Sequence, residues 1–106
     1  MTIIKVTPTA INPYDEEAEN YFGDETGTPE FYIVKDILQK YLGENINVRW
    51  NYDDFTYEIE DLNEDEGYDN LQNYIDNIKN IYEPMEQFNY EGLKQCYLMF
   101  MINNIE

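Results

Sequence analysis

Residues 28–43 (TPEFYIVKDILQKYLG) carry helix signals at both ends, and directly after them the apolar period changes from helical spacing to strict alternation. Thr28 is placed as an N-cap, and Pro29 stands at the first helical position, where a missing N–H costs nothing. Gly43 follows the last turn and can adopt the backbone that closes a helix. Between them Phe31, Val34, Leu38, Tyr41 and Leu42 recur at helical spacing and define one apolar face. Lys40 follows Asp36 by one turn, a supporting ion pair worth about 0.3–0.5 kcal/mol. From Ile46 the pattern alternates: Ile46, Val48, Trp50 and Tyr52 on one face, then Phe55, Tyr57 and Ile59 after Asp53 and Asp54. This predicts a β-hairpin turning at Asp53-Asp54 over residues 46–60. Arg49 falls on the opposite face with Glu58 and Glu60, in reach of either across the strands.

The remaining segments extend this pattern. Residues 2–7 (TIIKVT) read as a strand ended by Pro8. Residues 15–23 (DEEAENYFG) read as a brief helix or turn stopped by Gly23, with the acids at the end a helix dipole favours. Residues 68–82 form a second amphipathic helix with the stripe Leu71, Tyr74, Ile75, Ile78 and Ile81, ended by Pro84. Asp69, Asp76 and Glu83 are seven apart and line up along a neighbouring face. In residues 89–104 the run LKQCYLMFMI suits a buried helix or a central strand, and its length favours the helix. The expectation is one α+β domain over residues 1–106, with an N-terminal strand and a β-hairpin packed against two or three helices.

Charge bears on function. Asp and Glu number 23 against six Lys and Arg, a net charge of −17, in a chain whose apolar fraction of 42% is too high for a disordered acidic tail. Such charge repels itself and does not help a chain fold. Solubility of a small domain needs a net charge of only about 2–8. The complementary partner is basic, and direct binding to nucleic acid or an anionic membrane is opposed by like charge. The acids fall in two clusters that hold 15 of the 23. The first is Asp15, Glu16, Glu17, Glu19, Asp24 and Glu25. The second is Asp53, Asp54, Glu58, Glu60, Asp61, Glu64, Asp65, Glu66 and Asp69. No base lies between Lys5 and Lys35, nor between Arg49 and Lys79.

The residue types leave little catalytic chemistry. With no His and no Ser, nucleophile–His pairs, imidazole bases and His metal ligands are all absent. The single Cys96, inside CYLMFMI, excludes an internal disulfide and a Cys-rich zinc site and reads as a small buried hydrophobe. One Cys and no secretory signal point to a reducing cytoplasm, and no apolar run approaches a membrane span. GDETGT (residues 23–28) lacks the spacing and the Lys of a phosphate loop. Paired carboxylates alone are too common in so acidic a chain to indicate an enzyme. The stretch EDLNEDEGYDN puts six carboxylates in eleven residues and invites comparison with a calcium loop. Asp61, Asn63 and Asp65 take positions one, three and five. However, position six is Glu66 instead of Gly, and position twelve is Gln72 instead of Glu. No enzyme activity, metal or cofactor is expected.

Two acidic clusters on a folded scaffold can imitate nucleic acid. A duplex carries one charge per about 1.7 Å of axis, and carboxylates three or four apart on a helix lie about 5–6 Å from each other. Tyr14, Tyr21, Tyr68, Tyr82 and Tyr90 stand in or beside acidic or loop segments and can serve as interface anchors. Tyr41, Tyr52, Tyr57, Tyr74 and Tyr97 fit packing positions. In its composition and in the windows DEEAENYFGDE and DDFTYEIEDLNEDEGYD, the chain resembles phage-encoded inhibitors of host defence, the anti-CRISPR proteins and anti-restriction DNA mimics. That resemblance implies a non-catalytic inhibitor acting in the host bacterial cytoplasm. It would block the duplex-binding groove of a CRISPR effector, or a restriction enzyme. The resemblance carries no motif residue by residue. The rival is an acidic immunity or antitoxin protein that neutralises a basic nuclease toxin. On either reading the partner-binding residues are the second cluster first, with Tyr68, and the first cluster after it.

Overall fold

The structure, a computed structural model, describes residues 3–61, 68–88 and 95–105, and for residues 15–20 and 68–70 the backbone alone. Its axis is β1 (Ile3–Asn12). Along one flank, β6 (Tyr97–Ile105) pairs antiparallel with it from Ile11↔Tyr97 to Ile4↔Ile105. The other flank is shared. β4 (Thr56–Asp61) covers Ile3–Val6, and β2 (Asp15–Tyr21) covers Thr9–Asn12. β3 (Ile46–Asn51) adds to β4, and the two-residue β5 (Glu83–Pro84) adds to β6. The sheet runs β3-β4-β1-β6-β5, with β2 paired to β1 beside this path. With α1 (Pro29–Leu42), α2 (Tyr68–Lys79) and a 3-10 turn at Met85–Phe88, this is a small mixed α+β domain.

The helices and one sheet face close the core. Ile4, Val6, Ala10, Ile46, Val48, Tyr57, Ile59, Leu98 and Phe100 from the strands cluster with Phe31, Val34, Ile37, Leu38 and Ile78 from the helices. The opposite sheet face carries Lys5, Thr7, Arg49, Glu58, Glu60 and Met101. This inward-apolar, outward-polar alternation is that of an antiparallel sheet with one open face.

α1 has the expected bounds and caps. The Thr28 hydroxyl accepts from the Phe31 N–H at 3.2 Å, and the Gly43 N–H donates to the Gln39 carbonyl at 2.8 Å with φ at 99°. Lys40 differs from expectation: its ammonium reaches Glu83 on β5 at 2.8 Å instead of pairing with Asp36.

Other expectations are corrected. β1 does not stop at Pro8. The Pro8 carbonyl accepts from the Phe22 N–H, so its ring nitrogen faces the same flank, in the gap between the β4 and β2 pairings. No ladder bond to β6 is lost there, which is how a Pro is tolerated inside a strand. Residues 15–21 form strand, not helix or turn. β4 stops pairing at Val6, so the backbone of residues 9–12 needs another partner, and that demand overrides local preference. The C-terminal apolar run is strand, not helix. Among the described residues the element spans Tyr97–Ile105, with Leu98 and Phe100 alternating into the core at the two-residue period of a strand. Finally, α2 ends at Lys79, so Glu83 does not share a helical face with Asp69 and Asp76.

The hairpin turn holds four residues, 52–55, instead of two, since Asn51 pairs with Thr56. Tyr52 is therefore exposed in the turn and not packed, while Phe55 takes a left-handed φ of 56°. At the entry to α1, Gly23 is fixed by close approach. A Cβ there would meet Tyr57 Cε2 at 2.8 Å and Tyr21 Oη at 2.9 Å. Tyr57 is fully buried, between Trp50 at 5.0 Å and Phe31 at 5.8 Å, and cannot yield. Gly23→Ala should cost about 1–3 kcal/mol. Urea unfolding would read this as a lower midpoint with an unchanged slope.

Candidate interaction surface

The predicted acidic residues divide by what their carboxylates touch. Asp54 accepts from the Thr56 hydroxyl and from Lys5 Nζ at 3.1 Å. The Thr56 hydrogen bond, supported by Lys5, holds its carboxyl below the usual range despite some desolvation. Glu58 and Glu60 stand two apart on β4 and point to the open sheet face. Both meet Arg49, at 3.6 Å and 3.3 Å, and Glu58 also accepts from Asn51 Nδ2 at 2.7 Å. The cross-strand pairing expected for Arg49 is therefore present with both. Asp61 ends β4 opposite Ile46, half-buried. Asp54, Glu58 and Glu60 thus serve the sheet.

A second set is displayed. Asp53 is exposed at the hairpin tip, its own N–H donating to Asn51 Oδ1 at 2.9 Å. Asp24 and Glu25 are exposed in the connection between β2 and α1. The Asp24 backbone is clamped by Tyr57. The phenol donates to the Asp24 carbonyl at 2.8 Å, and its oxygen accepts from the Asp24 N–H at 3.0 Å. Burial pushes the Tyr57 phenol up to about 12, so it stays a neutral donor through the physiological range.

Other members of the predicted set are placed by backbone only. Asp15, Glu16, Glu17 and Glu19 lie on β2, and Tyr68 and Asp69 begin α2. Glu64, Asp65 and Glu66 lie outside the described residues, as does the middle of the calcium-like loop. Among the described residues, no group of three or more Cys, Asp and Glu could hold a metal.

Two features escaped the sequence reading. The first is an aromatic cluster centred on Trp50. Tyr21, Phe55 and Tyr57 lie 6.2, 6.0 and 5.0 Å from its ring, and the series runs from fully buried Tyr57 to Phe55 at 63% exposed. Burial, then Tyr57 and Asp24, raise the Tyr21 phenol well above its ordinary value. The cluster joins the hairpin tip to the Asp24 connection, so displayed acids and exposed rings share one end of the molecule. A turn rich in Tyr, Trp and Phe beside Asp was the available signal. The second feature is Glu83, buried although charged. Ile81, Glu83 and Met85 are buried in alternation, a short period-two signal in IYEPM that places Glu83 inward.

A depression of about 210 Å³ is lined by Pro13, Tyr14, Pro84, Glu86, Cys96 and Tyr97, among others. Among the described residues of its wall, Glu86 is the one carboxylate. Cys96 is a free, buried thiol, as its apolar setting suggested. Among the described residues no helix is long and apolar enough to cross a membrane. No protein family, curated protein or solved structure matches the chain.

Proposed function

We propose that this chain is a proteinaceous inhibitor. Its acidic surface stands in for nucleic-acid phosphates and blocks a basic nucleic-acid-binding enzyme in the bacterial cytoplasm, a CRISPR effector or a restriction enzyme. The observation that carries this reading is how the few bases are used. Of six Lys and Arg, Lys5, Lys40 and Arg49 are engaged by Asp54, Glu83, Glu58 and Glu60, inside the fold's own ion pairs. The four acids and three bases of these pairs nearly cancel, so the net charge is carried by other acids, among them the displayed Asp24, Glu25 and Asp53. A field of this size attracts a cationic groove at long range and raises the association rate. The role calls for binding alone, in keeping with a chain that has no His or Ser.

The test is capture of partners at low salt from a lysate carrying CRISPR and restriction systems, followed by elution with short duplex DNA. A nucleic-acid enzyme released by the duplex is the expected result. A partner that stays bound under excess duplex would overturn competition at the groove and favour an immunity protein bound beside a nuclease active site.

A further inference from the structure

We infer that the Trp50 cluster is an anchor for guanidinium groups, so that the surface is matched to an arginine-lined site in preference to a lysine-lined one. This rests on the reading that the partner is basic and goes further, to the chemistry of its cations. Carboxylates attract both ammonium and guanidinium, the latter also through paired N–H donors. An aromatic face beside carboxylates does not treat them equally. A guanidinium is planar and weakly hydrated, and it can stack on a ring while its edge N–H groups still reach an acid.

The rings are set for that use. Tyr21 is 44% exposed and Phe55 63% exposed, while Trp50 is half-buried between them. Fully buried Tyr57 packs beneath Trp50 at 5.0 Å, and buried Phe31 stacks on Tyr57 at 5.8 Å. Phe55 is held in the left-handed region at φ 56°, which bulky side chains rarely occupy. A Gly would relax that position, yet the chain presents a ring there to solvent. Exposed Asp53 shares the turn with Phe55, and exposed Asp24 is tied through its backbone to the phenol of Tyr57, beneath Trp50. The patch is thus apolar at its centre with acids at its rim, which selects a cation able to use both.

Trp50 is the only tryptophan, so its emission reports from this patch. The experiment titrates the whole chain at low salt with a deca-arginine peptide and, separately, with a deca-lysine peptide. The expected result is that deca-arginine binds about fivefold tighter or better and changes Trp50 emission. Phe55→Gly, which suits the turn's backbone, should bring the arginine affinity down toward that for lysine and leave the lysine affinity unchanged. Tyr21→Leu is a second variant with the same expected direction. Equal affinities for the two peptides in the wild type would overturn this inference and leave the acidic-surface reading standing. Arginine preference with unchanged Trp50 emission would overturn it as well. So would emission that shifts with the chain's own concentration before peptide is added, since a second copy would then cover the patch. Failure of both peptides to bind would take down the acidic-surface reading itself.

Discussion

Glu83→Ala should lower the stability of the fold by about 2–3 kcal/mol at neutral pH. Glu83 is 3% exposed and accepts three hydrogen bonds: from Lys40 Nζ at 2.8 Å, Tyr41 Oη at 2.7 Å and Gln87 Nε2 at 2.6 Å. It thereby ties α1 to β5 and to the 3-10 turn. Burial alone would raise its pKa, but the three donors outweigh burial and hold the carboxyl below its ordinary value. The sign of the pH dependence follows. A lowered folded pKa gives stability that is present above the unfolded value, about 4.3, and is lost as pH falls through the folded value. The wild type alone would mask this, because acid also relieves the repulsion among the other carboxylates. The difference between wild type and Glu83→Gln isolates it. That difference, read from urea midpoints, should be large at pH 7 and should shrink on acidification below about pH 4. A difference independent of pH would mean that shape, not charge, matters at this position.

The second large effect concerns binding. Asp24→Lys, Glu25→Lys and Asp53→Lys combined should weaken partner binding by about a hundredfold or more at low salt, and less at high salt. Stability should change by no more than about 0.5 kcal/mol, because all three are exposed. The choice of residues matters. Reversing Glu58 or Glu60 would set Lys against Arg49, and reversing Asp54 would set it against Lys5, so lost binding would be confused with a damaged sheet. Inhibition untouched by the triple reversal would reduce these acids to solvated surface.

The contrast between Asp53 and Asp54 shows where sequence reading stops. The two are neighbours in one turn and identical in type. One is displayed, while the other is held by Thr56 and by Lys5, 49 residues away. Only the pairing of β1 with β4 creates that difference. α1 was legible because its cap, its proline and its closing glycine are local. The hairpin was legible because alternation is local too, although the length of its turn was not. β2 was missed because its strand form answers a need of β1, and an acidic segment gives no apolar alternation to reveal it. β6 was ambiguous because a central strand and a buried helix are both continuously apolar. A spacing of seven sets Glu83 on a helix face with Asp69 and Asp76, but the helix ends four residues before it.

The central claim is that the acidic surface and a nucleic-acid duplex occupy the same site on the partner. The most direct measurement follows the anisotropy of a fluorescent short duplex bound to the captured enzyme as the chain is added. The account predicts that anisotropy falls to the free-duplex value, with half-displacement moving to higher chain concentration as duplex concentration rises. A duplex that stays bound while the chain also binds, in a ternary complex, would contradict it.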